Sequence, residues 1–589
     1  DALPDAEALD GMDDEALDAV YEAFQAACDA YYDTLTEEQQ AQLKNTEKLA
    51  ALSERFSQPE TLAEGEHQHP ICGARCADGE NHGNVNWTGV SNLTEITTEG
   101  NYYLTKDVTL SDIWQCEANV NLCLNGKKII GSENQPCIKV DQGYALTICD
   151  CVGGAEGCIT HNKDQKGCGV TVPGGAFTMY GGTITGNTTS ADSTGGGGGV
   201  HVFKQGSFEM KGGSITNNQA TNTYGGGVCV SNGTFKMTGG TITGNNAYDF
   251  GGGVCMQGNT EFTMENGTIT GNHADKNGGG VYVDDQGGTF TMNSGNITQN
   301  TVDGMGGGVY MGTYTTFTME TGTITGNTAA ASGGGVSVSF GGTFNMKDGT
   351  ISGNHAKTYG GGVYMQGNTK YTMEKGSIIG NNADKNGGGV YISGGIFNMS
   401  SGSIGGNTTY RNGGGVYVSG GSFNMYGGGI TGNEATSGSN NGGGVYVAGT
   451  NSKFTVSGEV TVIGNTANSA ENNVYLCEGK SIAIGADGLQ SKAKIGVTCK
   501  TLDSGETFTV ATGAMQDLSF YKTIFTPDVS NKGYKIIKDN DNLCLTDHQH
   551  SWKYAASGAT ITATCDAADC TNKDGGSVTI SAPGNLVYN

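Results

Sequence analysis

Two short segments of this 589-residue chain combine histidines and cysteines at spacings that suit metal chemistry. The first reads His67-x-His69-x2-Cys72-x3-Cys76, and the second places His548 and His550 ahead of Cys565 and Cys570. Two imidazoles and two thiolates form a tetrahedral zinc set. Each cysteine pair also suits a small-loop disulfide in an oxidising compartment, so structural zinc and disulfides are both open for these eight residues. Other cysteines are dense between Cys116 and Cys168, as in secreted proteins braced by disulfides. Cys229 and Cys255 stand 26 residues apart after matching glycine runs, at a place where a coil-to-coil disulfide would fit. The only acidic pair directly after a Val-Tyr-Val segment is Asp284-Asp285, and the matching positions nearby are Gln257, Gly312 and Ser339. No cluster of carboxylates is therefore expected, and glycosidic chemistry needs at least two. A third candidate is a row of tyrosines, Tyr282, Tyr310, Tyr364, Tyr391, Tyr417 and Tyr446, each between two apolar strand residues. An outward aromatic row suits sugar rings or a protein partner. It equally suits rings that only stabilise one another.

The elements that would position these residues are set by a repeat. Ten glycine-run valines, from Val200 to Val445, follow one another at intervals of 26 to 29 residues. Inside each period Phe-x-Met and Ile-x-x-Asn recur, as in Phe317/Met319 and Ile324/Asn327, with Tyr371 replacing Phe once. Apolar residues alternate with polar ones over short runs separated by Gly-Gly and Gly-Asn, which is a pattern of strands and turns. A period of this length predicts a solenoid: a mainly β, right-handed, three-sided parallel β-helix of ~27-residue coils. One coil buries too few apolar side chains to offset its ordering cost, so coils must stack. The Asn positions are expected to line a turn, with amides bonding from coil to coil.

The rest of the chain divides around this array. Residues 1–60 carry helical patterning and few glycines, and 61–95 form the Cys/His-rich link. Coils are expected over 96–515, irregular to 169, regular over 170–476 and degenerate beyond. Aromatic and aliphatic residues in 516–546 suit a cap, and 547–589 reads as the start of a small β module. The net charge is −27 with only three arginines, which argues against nucleic acid and anionic membranes as partners. No run of 18 apolar residues exists, so membrane insertion is not expected either. With neither a signal peptide nor an anchor visible, the sequence reads as a processed or trimmed piece.

Gly-Gly-Gly-Val-Tyr followed by Phe-x-Met and Ile-Thr-Gly-Asn resembles the β-helix repeats of bacterial surface proteins. It is similar to the polymorphic outer membrane protein repeat, with Ile-x-x-Asn in place of Phe-x-x-Asn. Residues 100–589 also look like large multidomain cell-wall proteins of anaerobic Gram-positive gut bacteria. There, Asn101-Tyr-Tyr-Leu and Val120-Asn-Leu-Cys-Leu-Asn-Gly resemble the entry to the β-helix, and His550-Ser-Trp-Lys-Tyr resembles a linker to downstream modules. The resemblance implies an extracellular, surface- or wall-attached adhesin without catalytic activity, binding host or microbial glycans or glycoproteins. It also reaches pectate lyases and polygalacturonases, so a polysaccharide-active enzyme is the alternative, and a purely structural spacer the second. No cofactor is expected beyond structural zinc in the Cys/His segments.

Overall fold

The computed structural model describes Val20 and residues 67–71, 83–152, 157–190, 196–284, 286–437, 441–500, 502, 506–513, 518–528, 534–546, 552–557, 560–565 and 574–579. The helices expected within 1–60 lie outside these residues, Val20 apart. The chain forms two compact units, residues 1–68 and 69–589, and the second contains the β-helix.

Within that unit about fifteen coils of ~27 residues stack as a parallel solenoid. Strands pair coil to coil in register: Val309 faces Val336, Phe317 faces Phe344 and Ile324 faces Ile351. Each repeated position therefore becomes a ladder, and the apolar ladders fill the interior with fully buried side chains. The phenylalanines stack nearly parallel, as in the Phe290–Phe317 and Phe317–Phe344 pairs with centroids 4.7 and 4.9 Å apart. Tyr371 continues this stack, and its buried hydroxyl donates to Met346 Sδ at 3.3 Å.

A regular coil holds four strands rather than the three read from the sequence. The coil after Val309 runs Val309–Met311, Thr316–Met319, Thr323–Thr325 and then Thr328–Ala329. The fourth builds its own sheet, with Ala220, Ala247, Ala274, Val302 and Ala329 forming a small separate core. Alanine two residues after most of these Asn gives little hydropathy signal, which hid this strand.

The glycine run explains how the coil closes over that fourth strand. Gly306 adopts φ +74, and a Cβ on Gly307 would meet the backbone of Thr328 at 2.8 Å. Side chains are excluded on both counts. The freed backbone still bonds fully: the N–H groups of Gly306, Gly307 and Gly308 donate to Ser332, Gly333 and Gly334 carbonyls.

The asparagines lie inside, fully buried, as a continuous amide ladder from Asn187 to Asn473. Asn327 is representative. Its Oδ1 accepts from the Asn300 N–H at 2.9 Å and from Asn300 Nδ2 at 3.0 Å. Its Nδ2 donates to Ile297 O at 3.0 Å and Asn354 Oδ1 at 2.9 Å. Both ends of the ladder are finished by other side chains. His161 Nδ1 lies 2.8 Å from Asn187 Oδ1, and Asp528 accepts from the Asn473 N–H and Nδ2, both at 2.7 Å.

After the last coils come helix Leu518–Ile524, strand Phe525–Pro527 and an antiparallel pair, Lys535–Asp539 with Asn542–Thr546. Tyr521, Ile524, Phe525, Ile536, Leu543 and Leu545 from this segment join the main core. Strands Trp552–Ser557, Thr560–Cys565 and Asp574–Thr579 form a separate antiparallel sheet. Among the described residues no helix is long and apolar enough to cross a membrane.

Candidate functional site

The tyrosine row sits at the centre of one strand ladder, with Tyr282 beside Tyr310 and Tyr417 beside Tyr446 in register. The row carries little open ring surface, which favours the reading in which the rings stabilise one another. Tyr282, Tyr364 and Tyr391 are 6 to 8% exposed, and Tyr310, Tyr417 and Tyr446 are half-buried. Many of the ring faces are taken by neighbouring rings: Tyr391–Tyr417 and Tyr417–Tyr446 stack at 5.0 and 5.2 Å with planes 8° and 7° apart. Aromatic residues just before the glycine runs add further cover, with Phe250 stacked on Tyr282 at 4.5 Å and Tyr359 on Tyr391 at 4.6 Å. Burial pushes the Tyr417 phenol up to about 12, and raises Tyr364, Tyr391 and Tyr446 as well. A sugar ring stacking among Tyr391, Tyr417 and Tyr446 would have to displace a neighbouring tyrosine.

A different aromatic pair presents open ring surface. In the turn after strand Val309–Met311, Tyr314 is 75% exposed; in the same turn one coil later Phe340 is 53% exposed. Each ring rests on a glycine of the following coil. A Cβ on Gly341 would lie 2.7 Å from Tyr314 Cδ1 and Cε1, and one on Gly367 would collide with the Phe340 ring. One side of each ring is thus seated on backbone, forming a two-step aromatic ledge across three coils. Asn368, next in sequence to Gly367, is exposed.

Tyr314 also holds an unusual backbone. Its φ is +59, whereas the equivalent turn position on the next coil is Gly341 at φ +72. A left-handed conformation costs an ordinary residue roughly 1–2 kcal/mol, and bulky side chains at such positions cluster at functional sites. Sequence reading passed over this pair because it followed the residues that repeat. The signal lay in an aromatic residue standing where the neighbouring coil has glycine.

Some carboxylates on the regular coils make coil-to-coil pairs, such as Lys347 with Glu320 at 2.6 Å and His355 with Asp384 at 2.8 Å, while Asp275 and Asp303 of adjacent coils gather with His273. Asp284 Oδ1 accepts from the Tyr282 hydroxyl at 3.3 Å, while Asp285 lies outside the described residues. A shallow polar groove of about 480 Å³ runs over the turns between Asn266 and Ser377. Asp348 is the one carboxylate among its lining residues.

Cys229 and Cys255 pair in register on adjacent coils and are buried as thiols, with burial pushing Cys255 well up. Of the Cys/His segments, His67 and His69 occupy alternate positions of the strand His67–His69, and Cys565 ends the strand Thr560–Cys565. Cys72, Cys76, His548, His550 and Cys570 lie outside the described residues, as do parts of the long loops before Val200 and Val445.

A family model described as a right-handed β-helix region matches residues 280–467, about a third of the chain. No curated protein and no solved structure matches it. The matched span contains the whole aromatic ledge.

Proposed function

We propose that this β-helix is a non-catalytic binding surface, displayed outside a bacterial cell, that holds host or microbial glycans or glycoproteins. The observation that carries the reading is the ledge of Tyr314 and Phe340. Two rings with one face supported by glycine and the other open suit the apolar face of a pyranose, and the Asn368 amide suits its hydroxyls. Stacked coils keep such a ledge rigid, so little ordering cost opposes binding. Covering one ring face stabilises a complex by about 1 kcal/mol, so removing both rings should weaken binding by roughly tenfold or more.

The test is a glycan and glycoprotein binding screen of the full chain beside Tyr314→Gly/Phe340→Gly and, separately, Tyr391→Ser. The ledge variant should lose binding, and the Tyr391→Ser variant should keep it. Binding unchanged in the ledge variant would remove the ledge from the account. Release of reducing ends from a polysaccharide panel would replace the whole reading with that of an enzyme.

A further inference from the structure

The irregular coils ahead of the regular array gather metal-binding side chains that are far apart in sequence. Cys123 ends the strand Val120–Cys123 and is fully buried. Cys151 follows the strand Ala145–Cys149 of the next coil by two residues, and that strand pairs with Val120–Cys123 in register. The chain turns so that the sulfurs of Cys123 and Cys151 stand 3.4 Å apart. Ring nitrogen of His69 lies within 4.8 Å of both sulfurs. Two thiolates on one tetrahedral zinc sit about 3.8 Å apart, given Zn–S bonds of about 2.3 Å. The observed spacing needs only a small adjustment to admit the ion.

The histidine is held as a ligand would be. Its Nδ1 lies 2.6 Å from Pro70 O, and since a carbonyl only accepts, Nδ1 carries the proton. The lone pair is then on Nε2, the arrangement in which a backbone carbonyl orients a metal-bound imidazole. Trp87 fixes the ring plane by stacking on it at 4.3 Å, and its Nε1 donates to His69 O at 2.9 Å.

We propose that His69, Cys123 and Cys151 hold a zinc ion at the start of the solenoid. Zinc binding releases one proton from each thiol, and the two thiolates neutralise the dication, so no net charge is left in a largely buried place. The site would tie His69 to two successive coils, where the regular ladders have not yet begun. Its cysteines are not the neighbouring Cys72 and Cys76 but residues roughly fifty and eighty positions further on.

The experiment is metal analysis of the full chain purified under reducing conditions, followed by exchange of zinc for cobalt(II). One zinc per chain is expected, and the cobalt form should show the charge-transfer absorption of two thiolates with tetrahedral d–d bands. Cys123→Ser and Cys151→Ser should each abolish stoichiometric zinc, whereas Cys72→Ser/Cys76→Ser should retain it. The cobalt spectrum of the unaltered chain reads the ligand set without relying on any variant. Absence of zinc from the unaltered chain overturns the site, as does zinc that survives both Cys123→Ser and Cys151→Ser. A Cys123–Cys151 disulfide in protein made with zinc but without reductant overturns it too.

Discussion

Asn327 shows how much one side chain does in this solenoid. It accepts two hydrogen bonds from the coil below, and it donates one to Ile297 O and one to the coil above. Asn327→Ala strands the Asn300 N–H and one Asn300 amide hydrogen in a dry interior. At roughly 1–3 kcal/mol for each orphaned donor, the variant should lose about 2–6 kcal/mol, read by denaturant unfolding or by amide exchange of the flanking coils. Tyr314 is the opposite case, a residue that costs stability where it stands. Replacing Tyr314 alone by Gly relieves the φ of +59 and should raise thermal stability slightly while weakening ligand binding. A variant that loses both stability and binding would mean that the ring packs structurally. Residue-scale logic also separates the two aromatic sets. The strand tyrosines face each other, and the turn aromatics face solvent, although both types are outward positions of the same coils.

At the scale of the element, glycine and methionine ladders fit one another across coils. Gly349 takes φ +99, and a Cβ there would lie 2.6 Å from Met319 Cε of the preceding coil. Gly322 and Gly376 meet Met292 and Met346 in the same way, both at 2.7 Å. The turn after each Phe-x-Met strand must therefore stay bare for the methionine beneath it to fill the core corner. Gly349→Ala should destabilise by about 2–3 kcal/mol, combining backbone strain with overpacking, and a fall in melting temperature would register it. The sequence made the three apolar strands plain because Val, Phe, Met and Ile repeat at fixed offsets. It hid the fourth because its buried residue is in most coils only an alanine, and because its sheet depends on how the glycine run folds over it.

Across the whole solenoid, stacking leaves two open ends, and the amide ladder needs a terminal acceptor at its C-terminal side. Asp528 provides one, accepting from Asn473 twice and from Thr498 Oγ1 at 2.8 Å. Burial raises its carboxyl pKa despite these bonds, which act in the opposite direction. Between the ordinary carboxylate value, about 3.9, and the raised folded value, the native state holds a proton that the unfolded chain has lost. Asp528 should therefore add stability below that window and lose it as pH rises through the folded value. Asp528→Asn keeps an acceptor for Asn473 and should flatten this dependence, measured as denaturation midpoints of the two proteins against pH. An identical pH profile in both would show that the carboxyl does not titrate there.

The division between what sequence determined and what tertiary structure decided follows from the repeat itself. A ladder position is a local property copied ten times, so Val, Phe, Met, Ile and Asn announced the parallel β-helix before any contact was known. The coil-to-coil bonding of the amides was legible for the same reason, because each Asn stands three residues from Ile, whereas their burial inside the coil was not. Surface function breaks the repeat, and there local pattern says little. Whether a tyrosine is open depends on which rings stack above, below and beside it, and those come from other coils. Whether His69 meets Cys123 depends on where irregular turns lead a chain over some fifty residues. Periodicity constrains positions that recur, whereas a site made once, from turns and unlike coils, exists only after the chain has folded.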